Sequence, residues 1–500
     1  MKKIAMLVAA FSFVGCTHVQ TTSYQPSNII GEAGRFPASE VCRENPSFPH
    51  LFTVVENTDK RITVEIGDFS KVLNLDEDNY DFEVNLMPIH EVREGHEDWG
   101  KPIFKKRGTL RSQSKIVIPV DGTGAYVFKI SQNDKTFWTQ KVFSIAAKDN
   151  TLSDEEKQQL AVTYAPIVSY HDQELYYPVS LEYLTNQVEP DQELNNETFI
   201  LTNRTISESA GGMFSGLFGG SDSNKPGTLN IEFPFKDILN IMPYYGHSES
   251  VLKSKGDSSE TQLVNRYGKN HSTIYYSIFE NNLRNEILIN YHFFYSYDPK
   301  NGTANKKALP AHIYDRESFT VLLRKSSREP IEIYYGAHLA TQTMAQLNAS
   351  GQELQRWDGG RTRAYWNEKI NPKMAVTKFE THPIPFVALG SHGIYPKKGT
   401  YAVMMNKIKA LVEPAGGNKF LIPEGVTGFK QGNQSTYKLK GLRLENTVSG
   451  CGPNSLLAYS GSTVDVLGPT NATFPPFTDR EENFMGYADP NVWPFDTSKE

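Results

Sequence analysis

The sequence predicts a mostly β chain built as two β-sandwich domains in series, the second larger, with long loops and a few short helices. Three observations carry this. Aromatic residues form 12% of the 500 residues, with 25 Tyr and 28 Phe, types that suit a pleated, half-buried surface. Short runs alternate apolar and polar residues with period two, punctuated by 37 Gly and 28 Pro. Stretches with helical period are few. At 38% hydrophobic and 22% charged, the chain can bury large cores, and it is too long for one small domain. A net charge of −6 with the two signs interspersed gives no electrostatic footprint for nucleic acid.

At the N-terminus, Lys2 and Lys3 precede an apolar run over residues 4–14 that is too short to span a bilayer. It ends in Phe13-Val14-Gly15-Cys16, which resembles a bacterial lipobox with Phe in place of the usual Leu. That resemblance implies a signal peptide over 1–15 and acylation of Cys16, palmitate included. Thr17, where Asp would signal inner-membrane retention, implies an outer-membrane lipoprotein, periplasmic or surface-exposed. A plain secretory signal with an incidental cysteine is the alternative. Residues 16–35 are polar and read as a tether.

Over 36–147 come "LFTVVE", "RITVEIG", "YDFEVNLMPI", "SKIVIPV", "GAYVFKIS" and "TFWTQKVFSIA", separated by turn signals. This spacing predicts a sandwich of the immunoglobulin or fibronectin kind, with Tyr126 as its corner tyrosine. No catalytic residue types cluster there, so support or spacing is the expected role. Residues 148–160 read as a linker and short helix, with Ser153 as N-cap and acids in the first turn. The second domain is expected over 161–495. Its strongest strand is "NEILINYHFFYSYD", with Ile287, Ile289, Tyr291, Phe293 and Tyr295 on one face and Asn290, His292, Ser296 and Asp298 on the other.

The stretch "PAHIYDRESFTVLLR" (310–324) carries the sharpest chemical question. Asp315 and Glu317 begin a strand face that continues through Phe319, Val321 and Leu323, and His312 lies just upstream. Carboxylates two apart on a strand point the same way, as a hard cation requires. Asp298 joins them if the two strands are hairpin neighbours. The other reading is a solvated strand end. His338, after "IEIYYGA", and His392, in a Gly-rich turn at the expected sheet rim, are candidate acid–base residues or hydrogen-bonded structural ones. His171 has the same standing. Gly alternates with Met213, Phe214, Leu217 and Phe218 in "GGMFSGLFGG", a loop that either dips into a bilayer or packs back on its domain. Cys42 and Cys451 are candidates for one disulfide in an oxidising compartment. There is no nucleophile elbow, P-loop, H-E-x-x-H or complete EF-hand.

Four segments in order, "APIVSYHDQELYYPVSLEYL" (165–184), "HIYDRE" (312–317), "YYGAHL" (334–339) and "ALGSHGIYPKKGTY" (388–401), resemble the successive motifs of the vacuolar protein sorting sixty-two-like domain. "GPTNATFPPF" followed by Trp493 resembles its proline-rich end, so the likeness covers roughly 160–495. More distantly, 312–317 is similar to the "GHRHDWE" segment of the necrosis- and ethylene-inducing-like proteins, which hold a divalent cation on a β-sandwich and bind sphingolipid headgroups. The resemblance implies His312, Asp315 and Glu317 as ligands of Ca²⁺ or Mg²⁺, with Asp298 or Asn301 as the upstream acid position. Three positions depart from the pattern: Arg316 replaces its tryptophan, Tyr314 its middle histidine and Ala311 its leading glycine.

The expected function is a lipid-anchored envelope or surface protein whose larger β domain binds a divalent cation and a glycan or lipid headgroup. The alternatives are a metal-dependent hydrolase of a phosphoester or glycan, for which no nucleophile is identifiable, and a structural envelope protein without a metal site.

Overall fold

Strands dominate the computed structural model, as the sequence predicts. It describes residues 151–185, 264, 272–281, 285–299, 311–336, 343–357, 361–405 and 408–442, together with isolated strands elsewhere. Seven of these strands lie between Phe52 and Ser144. Three form one antiparallel sheet (Phe52–Asn57, Arg61–Ile66, Ser114–Pro119). Four form another (Pro102–Arg107, Asp81–Leu86, Gly124–Gln132, Lys135–Ser144). Two antiparallel sheets of three and four strands are what a sandwich of this class requires. Burial follows the pleat: Ile116 and Ile118 are buried while Val117 between them is 56% exposed. Tyr126 sits in the Gly124–Gln132 strand, opposite Leu86 and Val142.

Within the stretch read as a tether, Thr21–Ser23 runs parallel to Leu229–Pro234 in a sheet that also holds Thr198–Asn203, Ser250–Ser254 and Ser462–Thr463. In the Ser250–Ser254 strand, Leu252 and Ser254 are fully buried.

The larger domain is organised on a ten-stranded sheet. Its order is Arg361–Tyr365, Pro330–Gly336, His312–Arg324, Glu286–Asp298, Thr273–Asn281, Asn433–Gly441, Lys419–Pro423, Val168–Tyr170, Phe386–Val387, Ile394–Tyr395. Glu286–Asp298 pairs antiparallel with both Thr273–Asn281 and His312–Arg324, and all thirteen of its residues are buried. Its odd-numbered face packs Ile287, Ile289, Tyr291, Phe293 and Tyr295 into one core with Phe319, Val321 and Leu323. Its even-numbered face mixes Leu288 and Phe294 with Asn290, His292, Ser296 and Asp298 and is equally enclosed. Asn290 accepts from Thr320 at 2.9 Å, and His292 Nε2 meets Ser277 Oγ at 2.9 Å. Burial, with Arg316 nearby, holds His292 well below the usual imidazole range, so it stays neutral.

Ser153 caps the helix Asp154–Thr163 as the sequence predicts. Its side chain accepts from Glu156 N and its own N–H donates to the Glu156 carboxylate, a complete capping box. The segment does more than link. Leu152 and Ala161 enter the main core, and Tyr291 donates to the Ala161 carbonyl at 2.8 Å. A four-stranded sheet (Glu353–Trp357, Thr343–Leu347, Gly399–Met405, Ile408–Ala415) lies beside a second core containing Tyr395 and Tyr401. Among the described residues no helix is long and apolar enough to cross a membrane.

Candidate metal centre

Hairpin pairing of Glu286–Asp298 with His312–Arg324 sets Asp298 directly opposite His312 and Tyr295 opposite Asp315. Strict alternation would still put His312, three residues before Asp315, on the other face. Tyr314 breaks the alternation. It adopts φ +60, a left-handed conformation, and the ladder passes from Tyr295↔Asp315 to Tyr297↔Ile313 without pairing Tyr314. Its hydroxyl donates to the Leu184 carbonyl at 2.8 Å, which holds the buried ring in place. Beyond this kink one donor atom each from Asp298, His312 and Asp315 lies within 4.8 Å of the others. All three are buried, at 8%, 3% and 5% exposure, so the reading of a solvated strand end does not hold.

Other acids surround the trio. Glu317, the remaining predicted ligand, is fully buried on the same strand but outside the 4.8 Å group. Glu413, on the Ile408–Ala415 strand, is fully buried and accepts from the Tyr395 hydroxyl at 2.6 Å. Burial pushes the Asp298 carboxyl well above its usual range, and the charges of Asp315, Glu413 and Glu317 push it the same way, against His392.

His392 lies in the turn between Phe386–Val387 and Ile394–Tyr395, the last two strands at the edge of the ten-stranded sheet, and is fully buried. The turn carrying it has Gly390 at φ +79 and His392 itself at φ +57, closed by a 2.8 Å bond from Ala388 N to Gly393 O. This backbone turns the imidazole inward. Its Nδ1 lies 3.1 Å from Asp315 Oδ2, and its Nε2 lies 3.7 Å from Glu174 Oε1, an ion-pair distance and not a hydrogen bond. The ring stacks on Tyr295 at 3.7 Å and 2°. Burial alone would lower the imidazole pKa, but the Asp315 and Glu174 carboxylates outweigh it and raise it to about 10. His392 is therefore a cation flanked by two acids.

Glu174 was not anticipated from the sequence. It accepts from the backbone N–H of Leu175, Tyr176 and Gly390 at 2.8–2.9 Å. Burial raises its pKa, but His392 and the Gly390 and Tyr176 amides lower it by more, so the net shift is downward. Gly417 allows the neighbouring chain to come this close: a Cβ there would sit 2.6 Å from the Tyr170 carbonyl oxygen. The signal for Glu413 was a lone acid inside the apolar run "ALVEPA".

Arg316 lies opposite Phe294 in the ladder, 2% exposed and near His292, while Asp315 lies opposite Tyr295. His171 Nδ1 accepts from Gln173 N at 3.2 Å, a local structural bond. His338, Cys16, Cys42, Cys451, Asn301, Met213, Phe214, Leu217 and Phe218 lie outside the described residues.

No family model matches the chain, and no curated protein matches it. Among solved structures, it is similar to the FN1–FN3 domains of chicken CNTN1 at 11% identity, over 74% of this chain and 96% of that one, with a TM-score of 0.12. It is also similar to native α2-macroglobulin from Escherichia coli spanning domains MG0-NIE-MG1, at 10% identity over 72% and 100%, with a TM-score of 0.10. Likenesses this slight transfer nothing to the chain.

Proposed function

We propose that the larger β domain is a divalent-cation-binding module, held at a membrane by acylated Cys16, whose cation engages an anionic lipid or glycan headgroup. The observation that carries this reading is the convergence of Asp298, His312 and Asp315 within 4.8 Å. The donor set fits a divalent ion. Two carboxylates supply the charge and hard oxygen atoms, and one imidazole extends the range from Ca²⁺ and Mg²⁺ to Mn²⁺ and Zn²⁺. A Ca²⁺ ion takes about six to eight oxygen ligands, so three protein donors leave positions for Glu317, water or an exogenous anion. His392 serves this reading as the partner of Asp315 and not as an acid or base open to substrate.

Titrating the folded protein with Ca²⁺, Mg²⁺, Mn²⁺ and Zn²⁺ by calorimetry tests it. At least one ion should bind with unit stoichiometry, and Asp315→Asn should weaken it by at least about tenfold, since removing a group that a ligand shell depends on costs on the order of 10–100-fold. A parent protein that binds none of the four at millimolar concentration rejects the reading. Co-sedimentation with anionic vesicles, with and without chelator, tests the headgroup: cation-independent binding would remove the ion from that step.

A further inference from the structure

Glu174, His392 and Asp315 form a buried chain of carboxylate, imidazole and carboxylate that enters the candidate metal centre from behind. Each link is held from outside the centre. Three backbone amides fix the Glu174 carboxylate, one of them donated by Gly390 in the turn that carries His392. The stack on Tyr295 sets the plane of the imidazole, and Tyr295 is itself tied to Tyr170 by a hydroxyl–hydroxyl contact of 3.0 Å. The last link, Nδ1 to Asp315 Oδ2 at 3.1 Å, leaves Oδ1 of the same carboxylate outside that hydrogen bond. The turn itself is anchored to the sheets, through Leu389 N to Pro414 O at 2.9 Å and Gly416 N to Val387 O at 2.9 Å.

The backbone at His392 argues that this arrangement is selected for position. A left-handed conformation is strained for a non-glycine residue. The adjacent Gly393 would take such a conformation freely, yet here it falls on the histidine, whose ring is thereby aimed at Asp315. A hydrogen bond from a fixed donor to one oxygen of a ligating carboxylate restrains its rotamer and directs the other oxygen, the role outer partners play around metal sites.

We propose that His392 is a positioning residue for the cation site, orienting Asp315 as a ligand, and that Glu174 holds His392 in register. The proposal rests on the cation reading above. His392 touches no cation in this arrangement and acts only through Asp315.

The test uses Mn²⁺ affinity by calorimetry and the visible spectrum of the Co²⁺-loaded protein, which reports ligand geometry. His392→Ala removes the donor and should weaken Mn²⁺ binding about 10–100-fold, with a shifted Co²⁺ spectrum. His392→Asn tolerates positive φ and places an amide N–H near the former Nδ1, so it should recover most of the affinity and the parent spectrum. Glu174→Gln should fall between the two. Parent-like affinity and spectrum in His392→Ala overturn the proposal while leaving the cation reading intact. So does an Asn variant as impaired as Ala. If His392→Ala does not fold, parent-like binding in Glu174→Gln, or an Asn variant no better than Asp315→Asn, overturns it. Absence of Mn²⁺ and Co²⁺ binding in the parent removes the cation reading for those ions and the proposal with it.

Discussion

The two ends of the same strand group treat a buried acid in opposite ways. At one end Glu280, at the close of Thr273–Asn281, is buried but fully met: Lys325 Nζ lies 2.6 Å away, Leu152 N donates at 2.9 Å and Thr151 Oγ1 at 2.8 Å. Burial raises its pKa, but Lys325 and those donors more than compensate, so it sits below the usual carboxylate range. At the other end Asp298 faces Asp315, Glu317 and Glu413, and its carboxyl is pushed well up. An enclosed acid with a matching cation and donors is scaffold. Burial acts the same way at both ends, and the sign of the surrounding charge decides which way each carboxyl shifts.

Breaking the completed end should have the largest effect. Lys325→Met leaves Glu280 without its cation, and losing one partner of a buried pair costs about 3 kcal/mol, to be read as a lower urea midpoint. The sign with pH follows from the lowered Glu280 pKa. The stability the pair supplies is full above the ordinary carboxylate pKa and is lost as pH falls through the lowered folded value. The gap between parent and variant should therefore narrow in acid. A gap that widens there would mean Glu280 is not the partner that matters.

The acid-rich end should respond to added ion instead. At a concentration about 100 times the dissociation constant, a cation that binds only the folded state stabilises it by about 2.7 kcal/mol. The melting temperature of the parent should rise on cation addition and return on chelation, while Asp298→Asn should show little of that rise. Equal shifts in both proteins would place the binding elsewhere. Lys325→Met should keep the full cation response, which separates the two ends.

The smallest effect is expected at Ser153, whose capping box fixes the helix start next to Thr151 and Leu152. Ser153→Ala should cost about 1 kcal/mol in thermal unfolding and leave cation affinity unchanged. A loss of cation affinity there would show that the two ends are coupled.

Legibility in the sequence followed range. The two strands, the apolar face of the first, the Ser153 cap and the spacing of Asp315 and Glu317 were all readable, because each depends on neighbours a few residues away. Asp298 and His312 were readable as partners of Asp315 only on condition that the two strands pair as a hairpin, and period-two alternation alone sets His312 on the wrong face. Tyr314, in a left-handed conformation more common for Gly or Asn, carries no sequence mark of the kink it makes. Glu174 and Glu413 were missed because each looks like an ordinary acid beside aromatic or apolar residues until chain crossings enclose it. Arg316 looked like a neighbour of the acids because it stands between them in sequence, while the ladder sets it opposite Phe294 and Asp315 opposite Tyr295.

The sequence by itself determined the β class, the two strand runs within 286–324 and the acids on them, because side-chain periodicity and turn chemistry are local. Only the tertiary structure decided which of those acids share a point, that His392 lies between Glu174 and Asp315 from segments 218 and 77 residues away, and that the cluster is buried. The physical reason is that burial and charge proximity are properties of long-range packing. A carboxylate becomes a candidate ligand only when the rest of the fold brings other carboxylates against it and excludes the solvent that would otherwise screen them.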